Sequence, residues 1–125
     1  PVAAPASAPE SVKTPRGAAV AAAKILEARK AENVVVLSLV EMSAFTDFIV
    51  IATAISDVHA RSLSEALWAE MKSKGRTPAS ARGGMDGPWI LLDYGSFVVN
   101  IMNESARANY RLERVWYEAE RVYPA

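Results

Sequence analysis

Between Ser56 and Ser62 the chain carries two serine hydroxyls, the carboxylate of Asp57 and the imidazole of His59. These are the groups that nucleophilic hydrolysis combines. A working Ser-His-Asp set draws on distant positions brought together by the fold, and it needs an oxyanion site. Here the residues fall at the start of one predicted helix, so His59, the sole histidine, reads as a surface or packing residue. Two-metal phosphoryl chemistry asks for carboxylates converging on one point. The aspartates are Asp47, Asp57, Asp86 and Asp93, and none has a second carboxylate two residues along the same strand face. Glu118 and Glu120 are two apart, but on a helix that spacing turns them in different directions. Arg82-Gly83-Gly84 lacks the Lys-Ser/Thr and the helix that make a glycine loop a phosphate cradle. With no Cys, a thiol nucleophile, a disulfide framework and a Cys/His zinc site are excluded.

Recognition chemistry is better represented. Gly87 to Met102, GPWILLDYGSFVVNIM, has the plan of a β-hairpin: two apolar runs around Asp-Tyr-Gly-Ser. One strand carries Trp89, Asp93 and Tyr94, and its partner carries Asn100 with Val98 and Met102 in alternation. The bland reading makes Trp89 a cover for the core and Tyr94 a turn residue with a wet hydroxyl. Against it, Trp, Tyr and Met with few charges resemble the centre of a protein interface. Asn100, inside a strand, needs a hydrogen-bond partner if buried. The residues favour a binding surface over an active site.

The elements that must position this hairpin follow from local signals. Thr14-Pro15 starts a helix that runs through the Ala-rich stretch to Ala31, anchored by Ile25 and Leu26. Val34–Leu39 and Phe48–Ala54 are continuous apolar runs, as in strands covered on both faces. Ser56 or Asp57 caps a helix over Val58–Lys74 with Leu63, Leu67 and Met71 on one stripe, and Gly75 stops it. Arg76–Ala81 predicts an edge strand, residues 82–88 a loop, and Gly95 the positive φ of the hairpin turn. Asn103 caps a last helix, with Leu112, Val115, Trp116, Ala119, Val122 and Tyr123 at helical spacing. The order is α-β-β-α-(β)-β-β-α: an α/β (α+β) domain with a mixed four- to five-stranded sheet and helices packed on it.

At 125 residues and 13.5 kDa the chain makes one domain. Residues 1–17, holding four of the seven prolines, predict a flexible Ala/Pro-rich tail before a domain over 18–125. With only Lys13 and Arg16 as basic residues, that tail is a poor transit peptide. Fourteen basic residues balance fourteen acidic ones, which argues against nucleic-acid binding by bulk charge and leaves room for a local basic patch. Hydrophobic residues are 51% and charged residues 22%, and no apolar run approaches the ~20 residues of a transmembrane helix. A soluble protein is expected.

Five stretches together carry a resemblance: ARKAENVVVL (28–37), FTDFIVIAT (45–53), Ser56 to His59, GPWILLDYG (87–95) and RANYRLERVW (107–116). In this order and spacing, over Ala18 to Val122, the chain resembles the ribosomal silencing factor family, RsfS or Iojap. The resemblance implies a nucleotidyltransferase-like fold stripped of its catalytic carboxylates, and a translation regulator that is not an enzyme and uses no cofactor or metal. It implies binding to the large ribosomal subunit, chiefly its fourteenth protein, with a minor contact to ribosomal RNA and none to membrane. Bound near the face that meets the small subunit, such a protein blocks subunit joining by bulk and lowers translation under nutrient limitation. A bacterial cytoplasmic location and dimers of the free protein are further implications, and related organellar proteins act in large-subunit assembly.

Residue by residue, Trp89, Leu91, Asp93 and Tyr94 match the family's Trp-hydrophobic-hydrophobic-hydrophobic-Asp-Tyr-Gly strand. Arg107, Tyr110, Leu112, Glu113 and Trp116 match its Arg-x-x-Tyr-x-Leu-Glu-x-x-Trp signature, and Thr46 and Asp47 its Thr-Asp corner. Partner contact is assigned to Trp89, Leu91, Asp93, Tyr94 and Asn100, supported by Arg107 and Tyr110. Thr46, Asp47, Leu112, Glu113 and Trp116 read as structural or signature positions, and Arg107 with Glu113 as an alternative internal ion pair. Three departures stand out: Ala54 where the family has Gly, Arg82-Gly83 where it has Glu-Gly, and Asn100 where it has His. The rival reading is a nucleotide-binding or nucleotidyl-transferring enzyme on the same fold, which needs a metal-binding carboxylate pair that the chain does not offer.

Overall fold

Thr14 opens the first helix by accepting the Gly17 N–H on its hydroxyl at 3.0 Å, with Pro15 next to it in the first turn. The computed structural model of the protein describes residues 12–42, 44–82 and 88–124. In it α1 (Pro15–Ala28) buries Gly17, Ala18, Ala19, Ala22 and Ala23 beside Ile25 and Leu26, small side chains that let the helix lie close to the sheet. Then come β1 (Glu32–Ser38), a short 3-10 turn (Val40–Met42) and β2 (Phe48–Ala54). Ser56 caps α2 (Asp57–Ser73), whose Ala60, Leu63, Leu67 and Met71 form the expected buried stripe; Gly75 ends it at φ +87°. The remaining elements are β3 (Ser80–Arg82), β4 (Trp89–Asp93), β5 (Phe97–Asn103), α3 (Glu104–Tyr110), α4 (Leu112–Val115) and β6 (Glu120–Tyr123).

The strands form one sheet in the order β3-β4-β5-β2-β1-β6. β2 and β5 run parallel at its centre, and every other pairing is antiparallel. Register decides which side chain faces which layer. Phe48, Val50 and Ala52 share a face with Phe97, Val99, Ile101, Ile90 and Leu92, and α1 and α2 cover it. Val35, Leu37, Ile49, Ile51 and Met102 look the other way, under Leu39, Ala106 of α3 and the half-buried Met42, Leu112 and Trp116. Both faces of β2 are therefore buried, as a continuous apolar run requires.

Three expectations are corrected. The expected last helix breaks at Arg111, a left-handed residue at φ 49°, and leaves only the four residues of α4. Beyond it, residues 120–123 pair antiparallel with β1, so the sheet has six strands rather than four or five. The edge of β1 needed a partner, and Arg-Val-Tyr is a good strand former; that non-local demand overrode the helical spacing. The expected tail does not extend to residue 17: Val12 packs on the core and Gly17 is buried. Residues 1–11 and 83–87, holding most of the expected tail and most of the expected loop, lie outside the described residues.

Candidate functional site

The alternation of β4 sets the site. Ile90 and Leu92 turn into the helix-covered core, while Trp89, Leu91 and Asp93 stand half-buried on the opposite face, across from Met102, Asn100 and Val98. The Trp89 indole N–H donates to Asn100 Oδ1 at 2.9 Å, and its ring lies 4.5 Å from Tyr110, tilted by 49°. The Asn100 amide donates to the Val50 carbonyl at 3.4 Å. Asn100 is only 1% exposed, so its expected contact with a partner is corrected. It is the buried anchor that aims Trp89, with both ends of its amide satisfied.

Tyr94 is corrected too. It is 8% exposed, its ring stacks on Phe97 at 4.8 Å, and it belongs to the helix-side core. Its hydroxyl is buried without a hydrogen-bond partner, and burial pushes its pKa up to about 12. The signal was present in the sequence: counting by twos from Ile90 and Leu92 reaches Tyr94. Asp93 holds the turn, its Oδ1 accepting the Gly95 N–H at 2.8 Å. Buried Thr46 donates to the Gly95 carbonyl at 3.0 Å, and the Asp47 and Phe48 N–H groups donate to Ser96. The Thr-Asp corner thus clamps the hairpin tip.

Arg107 also differs from the expected contact role. Its guanidinium grips Glu113 through Nη2 at 2.5 Å and Nε at 3.2 Å, while Nη1 donates to Thr53 Oγ1 at 2.8 Å. The side chain is 12% exposed, against 41% for Glu113, so the internal ion pair is the arrangement adopted. Trp116, placed by its spacing in the core, is half-buried with its ring 6.4 Å from Phe45. Val115, from the same stripe, is exposed.

The surface that results lies on the sheet face away from α1 and α2. Trp89 with Tyr110 and Phe45 with Trp116 give it two aromatic pairs, and Leu91 is half-buried on the same side. Tyr110 is 56% and Phe45 71% exposed. Sequence reasoning missed Phe45; an aromatic in the otherwise polar corner EMSAFTD was the available signal. A cluster of this kind suits protein recognition, where aromatic anchors carry much of the binding energy. It offers no acid–base pair for catalysis. His59 spends both ring nitrogens locally, Nδ1 accepting the Ile55 N–H at 3.0 Å and Nε2 lying 2.9 Å from the Arg29 carbonyl. Among the described residues no three His, Asp or Glu side chains gather as a metal site, and no helix is long and apolar enough to cross a membrane.

The chain matches the family model RsfS, "Ribosomal silencing factor during starvation", over residues 12–124. It is 40% identical over 97 residues to an Iojap-related mitochondrial protein of Arabidopsis thaliana, covering 74% of this chain and 53% of that protein. The chain thus spans about half the length of that relative. It is 32% identical over 102 residues to the ribosomal silencing factor RsfS of Treponema pallidum, covering 82% of this chain and 92% of the relative. Its fold is similar to a crystal structure of a Chromobacterium violaceum protein, with a TM-score of 0.72 at 25% identity, over 76% of this chain and 79% of the other. The paired aromatics on one sheet face therefore sit on a chain that belongs to the ribosomal silencing factor family, RsfS.

Proposed function

We propose that the protein binds the large ribosomal subunit, chiefly through its fourteenth protein, and by its bulk keeps the small subunit from joining. Translation then falls under starvation. Family membership supports the silencing role, and the observation that carries the mode of action is the exposed aromatic face built from Trp89, Leu91, Tyr110, Phe45 and Trp116. A silencer acting by occupancy needs affinity and volume rather than catalysis, and this face offers desolvatable aromatic area. Within it Trp89, Leu91 and Tyr110 make the partner contact, and ribosomal RNA contributes at the margin. The protein acts in the bacterial cytoplasm and is a dimer when free.

The test is sedimentation of the purified protein with isolated large subunits and, separately, with joined ribosomes. The protein should travel with the large subunit and be absent from the joined particle. Equal binding to both particles would overturn the blocking mechanism. A nucleotide-binding screen with magnesium covers the enzymatic rival, and specific nucleotide binding there would count against a purely steric role.

A further inference from the structure

We infer that Arg107 is the positioning residue of the aromatic face: it sets the angle between α3 and α4 and so holds Tyr110 and Trp116 in place for docking. The inference rests on the proposed docking face. α3 has seven residues and α4 four, too short to hold a direction on their own. They meet at Arg111, whose left-handed backbone interrupts the helix. The backbone bonds there end on Arg111 itself: its N–H donates to the Arg107 carbonyl at 3.1 Å, and its carbonyl accepts the Arg114 and Val115 N–H groups at 2.9 and 3.2 Å. Direction must therefore come from side chains.

The Arg107 fork supplies it. Nε and Nη2 both donate to Oε2 of Glu113 in α4, at 3.2 and 2.5 Å, and Nε also reaches Oε1 at 3.4 Å, while Nη1 stays free for the sheet, a set of donors that one ammonium does not carry. Nη1 ties the same group to Thr53 of β2 and reaches the Glu32 carbonyl of β1 at 3.5 Å. One guanidinium thus fixes both short helices to the sheet. Tyr110 follows Arg107 by one helical turn and meets Trp89; Trp116 follows Glu113 by one turn and meets Phe45. The brace thus precedes one aromatic of each pair by a helical turn, and its donors are almost fully engaged inward.

The experiment compares Arg107→Lys, Glu113→Gln and the double variant with wild type. It measures affinity for purified large subunits and site-resolved amide hydrogen exchange in the free protein. The expected result is a loss of between about three- and thirtyfold for each single variant. The double variant should be no worse than the weaker single, because both remove one contact. Exchange should quicken over residues 111–119 and stay unchanged in α2 and β5. The inference is overturned if Glu113→Gln binds normally while Arg107→Lys does not, which marks direct partner contact. It is also overturned if exchange rises throughout the molecule, which marks a general stabiliser. If wild type itself fails to bind large subunits, the proposed function falls, and the exchange pattern still decides whether Arg107 is the brace.

Discussion

Two tyrosines matched to the family's signatures have opposite roles, and parity separates them. Tyr94 fills space against Phe97 in the helix-side core, so Tyr94→Ala should cost about 3–5 kcal/mol, the range for a buried aromatic. Tyr94→Phe keeps the ring and removes the unpartnered buried hydroxyl, so it should stabilise by about 1 kcal/mol, read from urea midpoints. The phenol also predicts a pH effect. In the unfolded chain tyrosine ionises near pH 10, whereas burial holds folded Tyr94 up to about 12. Above about pH 10 the unfolded state loses a proton that the folded state keeps, so stability should fall as pH rises towards 12. Tyr123, raised to about 12 first by its hydrogen bond to Glu27 and then by burial, adds to the same fall. Tyr94→Phe should flatten part of it, and an unchanged slope would show that Tyr94 ionises while folded. Tyr110, by contrast, is more than half exposed. Tyr110→Ala should melt close to wild type and weaken large-subunit binding by about 2 kcal/mol, roughly thirtyfold. Unchanged affinity in the folded variant would remove Tyr110 from the docking face.

At the scale of elements, the segment after Arg111 carries two loads. α4 brings Leu112 and Trp116 over the second core, and β6 closes the β1 edge through Val36–Tyr123, Leu37–Arg121 and Ser38–Glu120. Tyr123 adds a hydrogen bond to Glu27 of α1. Ending the chain after Tyr117 should therefore lower stability by about 2 kcal/mol or more, from the lost burial of Val122 and Tyr123. It should also leave β1 as a bare edge, open to pairing with another chain. Size-exclusion chromatography at rising concentration reads this directly. A truncated protein that melts like wild type and stays at one size would show that β6 is dispensable.

For the molecule as a whole, the formal charge is zero, with fourteen residues of each sign. Long-range attraction to a polyanion is therefore weak, and binding should rest on the aromatic face. Raising salt from about 50 to about 200 mM should weaken binding to large subunits by less than roughly tenfold, whereas a ligand gripped by six to ten phosphate contacts would lose about a thousandfold or more. A thousandfold loss in the titration would move the main contact to ribosomal RNA.

Local signals in the chain determined a great deal by themselves. The Thr14-Pro15 and Ser56 caps, the Leu63-Leu67-Met71 stripe, the Gly75 stop and the apolar runs of β1, β2 and β5 each depend on neighbours within a turn or a few strand residues. All of them recur in the fold. The five stretches that carry the family were legible for the same reason. Tertiary structure decided what depended on distant partners. Residues 120–123 became a strand because the β1 edge was open. Arg107 became a brace because Glu113 and Thr53 converge on it from α4 and β2. Asn100 was drawn inward by Trp89 and Val50, and Phe45 was left outside beside Trp116. A residue's type sets what it can bond to, but its burial is a property of sheet order and layering, and those are settled only when the whole chain is packed.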